Sequence, residues 1–168
     1  IVGTGYVGLI TGTCFANAGN DVVCLDIDPK TVATLQKGEA PFFEPGLSEM
    51  MTKSINANRL QSTDDASTAF DDSSIIFICV GTPTGKDGRC DLSHVMGVAD
   101  SISDALESFD TPPTIVVKST VPVGTTHKVA DRLKGNYSIA NNPEFLREGN
   151  SIDDFMHPDR VVCGVEDD

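Results

Sequence analysis

The stretch Gly3-Thr4-Gly5-Tyr6-Val7-Gly8 follows the apolar pair Ile1-Val2 and precedes a helical pattern. Glycines at these positions suit a strand that turns sharply into a helix, where bare backbone N–H groups can meet a pyrophosphate. Asp26 ends the next apolar run, eighteen residues after Gly8, and is placed to accept hydrogen bonds from a pair of ribose hydroxyls. The spacing therefore predicts a dinucleotide-binding turn.

The acidic residues after the second apolar run also bear on which dinucleotide binds. Asp28 follows Asp26 closely, and no arginine lies between Asp26 and Pro29. A 2′-phosphate would meet carboxylates here, and like charges at such short range repel by roughly 1 kcal/mol or more. NAD is therefore favoured over NADP. The alternative is that the two aspartates only shape a turn before Pro29.

Strand and helix patterns alternate along the whole chain. Residues 74–80 form a continuous apolar run, which is typical of a strand buried on both faces of a parallel sheet. The alternation predicts an α/β fold, a Rossmann-like doubly wound parallel sheet with helices on both faces and right-handed crossovers. The predicted helices cover 7–18, 29–37, 46–53, 124–133, a segment capped within 63–65 that ends at 70, and a segment capped at Asp91 that ends at 108; the predicted strands cover 21–26, 74–80, 114–118, 137–140 and 160–165.

Length and charge limit the function classes. The 168 residues suffice for one domain with a core, so we expect residues 1–168 to form a single domain. The net charge of −13 argues against nucleic-acid and anionic-membrane partners. No apolar run reaches membrane-spanning length, and no signal-peptide pattern is present.

The five cysteines are scattered and form no C-x-x-C pair, which indicates a reduced, cytoplasmic protein. Cys24 and Cys79 lie in strand patterns and should be buried, whereas Cys90 in a long loop should be the most exposed. The three histidines share no ligand spacing with one another or with a cysteine, so we expect no metal site.

Three polar motifs follow predicted strands. They are Val80-Gly81-Thr82-Pro83-Thr84, the stretch 118–125, and the stretch 141–149. Because ligands of open α/β sheets bind at the carboxyl ends of the strands, all three should lie at the rim that the glycine turn defines. Each alone could be a turn with capping residues. Lys118, at the end of its strand, is interpreted as structural.

Six motifs resemble, in order along the whole chain, those of the UDP-glucose/GDP-mannose dehydrogenase family. KSTVPVGT and NPEFLREG are the most specific. The resemblance covers the N-terminal, NAD-binding domain, so it implies that these residues are a fragment of a larger enzyme with a connecting helix and a C-terminal domain. The motifs are GTGYVGL, FFEPGL, ICVGTPT, KSTVPVGTT, NPEFLREG and HPDRVVCGV.

The resemblance implies a reaction and roles for particular residues. A primary alcohol, C6 of a nucleotide-bound sugar, is oxidised to a carboxylate with two NAD, through a thioester on a cysteine outside these residues. Glu144 and Thr120 correspond to catalytic residues, with Glu144 a general acid/base acting on a shared water. The implied cofactor residues are Gly3, Gly5, Tyr6, Val7, Gly8, Asp26, Val80, Gly81, Thr82, Pro83, Thr84, Ser119, Thr120 and Glu148; the implied substrate residues are Glu144, Phe145, Leu146, Arg147 and Glu148.

The roles of some residues stay open. Glu144 and Glu148 could be structural, with Glu144 in the first turn of a helix and Glu148 one turn later on the same face. Thr31 stands where the family commonly has a lysine or arginine toward the adenosine, so that contact is uncertain. The family's nucleophilic cysteine, lysine and asparagine lie outside these residues, so the chain alone should bind NAD without turnover.

The sequence also leaves the substrate open. The resemblance favours the UDP-glucose branch of the family at residues 121–124, Val-Pro-Val-Gly, because the GDP-mannose branch tends to shift the proline by one place. Sister enzymes that act on GDP-mannose or a UDP-N-acetyl-hexosamine stay open as alternatives. Two hypotheses of a different kind are a non-catalytic NAD-binding module and an unrelated dehydrogenase of the same fold, which would need a His–Glu pair. The resemblance implies a homo-oligomer for the full-length enzyme.

Overall fold

A single layer of parallel strands lies at the centre of the molecule. The computed structural model describes residues 1–165. The strands are β1 Val22–Leu25, β2 Leu60–Thr63, β3 Ile75–Ile78, β4 Thr114–Val117 and β5 Ser138–Asn141; the helices are α1 Tyr6–Asn17, α2 Pro29–Leu35, α3 Leu47–Asn56, α4 Ala66–Phe70, α5 Ser93–Ala105, α6 Thr125–Ala130 and α7 Ser151–Met156, with a 3-10 turn at Leu106–Ser108.

The strand order places the first residues of the chain in the middle. β1 pairs in parallel with β2, and β3–β4–β5 form a second parallel group. Val2 joins the two groups through parallel bridges to Leu25 and Ile78. Its amide donates to the Phe77 carbonyl at 2.8 Å, and its carbonyl accepts from the Cys79 amide at 2.8 Å. The resulting order, β2–β1–Val2–β3–β4–β5, is that of a doubly wound fold whose crevice lies beside the first strand.

Two apolar clusters pack on the two faces of this sheet. Successive side chains of β1 point to opposite faces, as they do in any strand. Leu25 therefore belongs to one cluster and Cys24 to the other. The first cluster includes Phe70, Val95 and Val129 from α4, α5 and α6. The second includes Ile10, Leu35 and Met51 from α1, α2 and α3. The predicted fold, with helices on both faces, is therefore confirmed.

Aspartates lie at the starts of three helices; capping by Asp65 and Asp91 was predicted, whereas capping by Asp28 was not. The Asp28 carboxylate accepts from the amides of Lys30 and Thr31 at the start of α2, and the Asp65 carboxylate caps α4 in the same way. Asp91 accepts from the Ser93 amide at 2.9 Å ahead of α5. Side-chain oxygens here satisfy helix N–H groups that have no partner within the helix.

The sequence predictions were wrong in four places. Strand β2 and helix α7 were not predicted, because Leu60–Thr63 carries little apolar pattern and α7 is only six residues long. The predicted strand 160–165 is reduced to one antiparallel bridge between Gly164 and Asn141, since most of its side chains are exposed and only that residue pairs with the sheet edge. The run 74–80 is not buried throughout, because Ile75 opens the strand with 52% of its surface exposed.

The cysteine predictions were partly right. Cys24 and Cys79 are buried, as expected. Cys90 is half-buried and Cys163 is exposed, so the prediction that Cys90 is the most exposed was wrong. The loop folds back on itself through a bridge between Thr84 and Cys90, which partly covers the thiol.

Candidate functional site

The turn at residues 3–8, here called the cofactor turn, requires glycine at two places for steric reasons. Gly3 has φ +93°, and a Cβ there would lie 2.9 Å from the Val80 Cα. A Cβ on Gly8 would lie 1.9 Å from the Gly3 carbonyl oxygen. Gly5 differs, because a Cβ there would meet no atom within 4 Å. The turn thus packs tightly on the β3 side and is open at Gly5.

The open side of the cofactor turn faces the start of α1. Gly5 is the N-cap residue of this 12-residue helix, and no side chain caps its first amides. The first turn of α1 carries no acidic residue. These N–H groups and the positive end of the helix dipole suit a phosphate group.

Asp26 follows β1 directly and is held against the cofactor turn. Its Oδ2 accepts from the Thr4 amide at 3.0 Å and from the Thr4 hydroxyl, and its Oδ1 accepts from the Asp28 amide at 3.1 Å. Ile27 beside it is 92% exposed. Sequence reasoning did not assign a role to Thr4, which is buried and fixes the carboxylate; its place between two glycines was the available signal.

The loops after β3 and β4 are joined to each other. The Ser119 hydroxyl lies 2.8 Å from the Val80 carbonyl oxygen, and the Thr82 hydroxyl donates to the Thr120 carbonyl at 2.7 Å. Ser119 is buried, whereas Thr120 is exposed at the rim. The Ser119 side chain therefore joins the two loops, and Thr120 is left accessible.

Residues 142–149, here called the rim segment, continue from β5 along the same edge of the sheet. The segment contains no helix, because α7 begins only at Ser151. The alternative that Glu144 and Glu148 share one helix face is therefore wrong. Glu144 is half-buried, and its Oε2 accepts from the Leu146 amide at 2.6 Å, whereas Glu148 is exposed.

A cavity of about 530 Å³ adjoins the rim segment and includes Glu144, Lys118 and Asn142 in its lining. Lys118 is buried, and its ammonium donates to the Asn142 side-chain oxygen at 3.0 Å. Burial lowers the pKa of Lys118, an effect partly opposed by Cys79, Glu144 and Cys163. The contact with Asn142 agrees with a structural role for Lys118, yet the residue also borders the cavity that Glu144 lines.

The predicted catalytic residues, Thr120 and Glu144, follow neighbouring strands and form no direct hydrogen bond with each other among residues 1–165. The three polar stretches that begin at residues 80, 118 and 141 do lie at the carboxyl ends of the neighbouring strands β3, β4 and β5.

One buried carboxylate was missed by sequence reasoning. Glu44, in the loop between α2 and α3, is only 5% exposed. It accepts from the Tyr6 hydroxyl, the Gly149 amide and the Ser151 amide, each at 2.8 Å. Burial alone would raise the pKa of Glu44, but the hydrogen bonds from Gly149, Tyr6 and Ser151 outweigh it and hold the pKa below its usual value. An acidic residue between aromatic Phe43 and Pro45 was the available signal.

Comparison with known proteins identifies the family. The profile of the "UDP-glucose/GDP-mannose dehydrogenase family, NAD binding domain" matches residues 1–168. The chain belongs to this family. A UDP-glucose 6-dehydrogenase of Rhizobium meliloti (strain 1021) is 45% identical over 172 residues, which cover 99% of this chain and 39% of the relative. UDP-glucose 6-dehydrogenase TuaD of Bacillus subtilis (strain 168) is 46% identical over 170 residues, covering 98% of this chain and 36% of the relative.

Solved structures agree with this membership. A UDP-glucose dehydrogenase from Pyrobaculum islandicum superposes with a TM-score of 0.92 at 39% identity, and a GDP-mannose dehydrogenase from Pseudomonas aeruginosa with 0.94 at 33%. Each match covers 99% of this chain and 40% of the solved chain. The chain thus spans about two fifths of the length of the four relatives named here.

The domain is an NAD-binding domain, and NAD is its cofactor. The geometry fits this cofactor, because the uncapped start of α1, the opening at Gly5 and the oriented Asp26 carboxylate lie together. Among the described residues, the structure contains no helix long and apolar enough to cross a membrane. Over the same residues, no three His, Cys, Asp or Glu side chains are grouped as a metal would require.

Proposed function

We propose that the natural gene product containing these residues is a UDP-glucose 6-dehydrogenase and that residues 1–168 form its NAD-binding domain. The observation that carries the proposal is the position of the rim segment, with Glu144, at the same sheet edge as the cofactor turn. The relatives named above as UDP-glucose 6-dehydrogenases are 45–46% identical, against 33% for the GDP-mannose dehydrogenase, which supports UDP-glucose.

In this proposal the cofactor residues act through shape and charge. The amides of the cofactor turn donate to the pyrophosphate, and Asp26 accepts from the adenosine ribose hydroxyls while disfavouring a 2′-phosphate. Residues 80–84, Ser119, Thr120 and Glu148 line the rest of the dinucleotide site. NAD supplies the hydride acceptor, and two hydrides are removed from C6 in turn.

Glu144 is the proposed general acid/base, and Thr120 the hydroxyl that helps hold its water. The carboxylate is half-buried and borders the cavity, where it can take or return a proton. Backbone groups of residues 144–148 are proposed to bind the nucleotide sugar.

The proposed covalent thioester needs a thiolate, and the three buried cysteines of this chain are poor candidates. Burial raises the pKa of Cys14 and of Cys79 to about 12, and it raises the pKa of Cys24 as well. Such thiols stay protonated near neutral pH and are weak nucleophiles. None of the five cysteines, including the half-buried Cys90 and the exposed Cys163, lies in the nucleophile motif of the family that the chain resembles. The nucleophile is therefore assigned to the part of the enzyme outside residues 1–168, and this domain alone should be inactive.

The same proposal covers partners and location. The substrate is a nucleotide sugar, the full-length enzyme is a homo-oligomer, and the protein is cytoplasmic. The absence of disulfides among the described residues supports a reducing compartment. The net charge of −13 argues against nucleic acid or an anionic membrane as a partner.

The test uses the natural gene product that contains these residues. UDP-glucose, GDP-mannose and UDP-N-acetylmannosamine are offered separately, and NADH is counted per sugar consumed. Two NADH per UDP-glucose, with the others inert, are expected. Two per another sugar would overturn the substrate, and no NADH from any sugar with NAD still bound would favour a non-catalytic NAD-binding module.

The variant Glu144→Gln tests the general acid/base. The Gln side-chain oxygen can still accept from the Leu146 amide, so the segment should keep its conformation. We expect kcat to fall about 100-fold or more while the NAD dissociation constant stays unchanged, because only proton transfer is removed. Glu49→Gln, at an exposed position of α3, is the matched control. A Glu144→Gln enzyme with normal kcat would contradict the assignment.

A further inference from the structure

The rim segment gets little of its conformation from regular structure. It contains no helix or strand, so its amides find other acceptors. Four amides in and just after it donate to carboxylates: Leu146 to Glu144, Arg147 to Asp154, and both Gly149 and Ser151 to Glu44.

Glu44 differs from the other two carboxylates in where it comes from. Glu144 and Asp154 lie within seven residues of the amides they accept from, whereas Glu44 precedes Gly149 by 105 residues and Ser151 by 107. It therefore connects the rim segment to a separate part of the fold.

The third donor to Glu44 belongs to the cofactor turn. The Tyr6 hydroxyl donates to Glu44 Oε2 at 2.8 Å and lies 3.4 Å from the Arg147 carbonyl oxygen. The Tyr6 ring also packs against Phe42, with ring centroids 5.0 Å apart. One carboxylate thus touches the first turn of α1, the end of the rim segment and the start of α7.

A buried carboxylate is costly unless its oxygens are satisfied. Over residues 1–165, no lysine, arginine or histidine forms an ion pair with Glu44, and its hydrogen-bond donors are a hydroxyl and two backbone amides. The carboxylate is stabilised only when the Tyr6 hydroxyl and the Gly149 and Ser151 amides all lie within hydrogen-bond distance of it. The buried charge therefore favours the one arrangement of the rim segment and the cofactor turn in which all three donors reach Glu44.

We propose that Glu44 is a positioning residue that fixes the rim segment relative to the cofactor turn, and so sets where the nucleotide sugar lies relative to NAD. This inference rests on the proposed function, in which the rim segment binds the sugar. Glu44 need not touch either ligand.

Glu44→Gln separates this role from simple packing. Glutamine has nearly the same size, but one carboxylate oxygen becomes an NH₂ group. That group faces either the Ser151 N–H or the Gly149 N–H, so one donor loses its acceptor in either orientation. The variant thus keeps the volume of the side chain but removes one of the hydrogen bonds that connect it to Gly149 and Ser151.

The experiment compares the wild type, Glu44→Gln and Glu39→Gln, each in the natural gene product. Glu39 is an exposed glutamate of the same loop and serves as the control. In Glu44→Gln we expect kcat/KM for UDP-glucose to fall about tenfold or more while the NAD dissociation constant changes by less than about twofold. Amide hydrogen exchange at Gly149 and Ser151 should accelerate, and exchange at Leu9 in α1 should not.

Equal losses of NAD and sugar affinity, or unchanged exchange at Gly149 and Ser151, would overturn the proposal. If Glu44→Gln folds poorly, Glu44→Asp keeps the charge but withdraws it by one methylene, and the same pattern is expected. If the wild type oxidises none of the three nucleotide sugars, the proposed function fails. Exchange at the two amides then still decides whether Glu44 positions the rim segment.

Discussion

The cofactor turn and the rim segment lie at the same edge of the sheet but are held in different ways. The cofactor turn is specified by sterics, since Gly3 and Gly8 have no room for a Cβ. The rim segment is specified by charge, since amides in and just after it donate to carboxylates, and those of Gly149 and Ser151 donate to Glu44, more than a hundred residues earlier. A glycine pattern can be recognised within six residues of sequence, whereas a charge-held segment depends on a residue that no local pattern connects to it.

Substitutions at Gly8 and Gly5 should separate the steric role of the cofactor turn from its binding role. In Gly8→Ala the new Cβ would lie 1.9 Å from a backbone oxygen, so the turn must move. We expect a loss of about 3 kcal/mol or more in the free energy of unfolding, measured by urea denaturation. Gly5→Ala meets no atom, so stability should be kept and NAD binding weakened. Equal stability losses in the two variants would contradict the distinction.

Asp26→Asn should have the next largest effect, on cofactor binding rather than on folding. The variant removes the charge that is proposed to receive the ribose hydroxyls, so the NAD dissociation constant should rise about tenfold to a hundredfold. The ratio of the NADP dissociation constant to the NAD dissociation constant should fall, because a 2′-phosphate no longer meets this negative charge. Titration with both cofactors measures these changes. Asp64→Asn, at an exposed position after β2, is the control and should bind both as the wild type does.

Acid should loosen the rim segment before the cofactor turn. Hydrogen bonds from the Arg147 side chain hold the pKa of Asp154 below its usual value, and the pKa of Glu44 is lowered as well. A carboxyl group with a lowered folded-state pKa stabilises the fold above its unfolded pKa, and this contribution is lost as pH falls through the folded value.

We therefore expect exchange protection at Arg147, Gly149 and Ser151 to fall below about pH 4, after correction for intrinsic exchange rates. Protection at Leu9 in α1 should fall only at lower pH. This is the smallest of the three effects, because it is a local opening. Simultaneous loss of protection at all four amides would mean that the two regions do not differ in the way they are held.

Much of the fold was predictable from local pattern. The glycine spacing, the apolar runs, Pro29 at the start of α2 and the capping aspartates Asp65 and Asp91 predicted most of the elements that the structure contains. Strand β2 was missed because it is four residues long with three polar side chains in a row, which gives no alternating pattern, and it is recognisable only by its pairing with β1. The segment 160–165 has strand composition, but only Gly164 finds a partner at the sheet edge.

The site residues, like the fold, were predictable where the signal is local in the sequence and were missed where it is not. Asp26 and the loops after β3 and β4 were placed correctly at the rim, since the carboxyl ends of parallel strands meet at one edge. Glu144 was expected at the rim as well, but the alternative that places it in the first turn of a helix is wrong, because the rim segment contains no helix. Thr4 and Glu44 were not assigned, because their partners are distant in the chain.

The sequence by itself determined the cofactor turn, most of the alternating strands and helices, and the burial of Cys24 and Cys79. These features follow from backbone sterics and from hydrophobic periodicity, which act between residues close in the chain. Only the tertiary structure decided how the rim segment is held and which parts Glu44 connects. A buried carboxylate is stabilised by whichever donors the fold brings to it, and that set is defined only once the chain has folded.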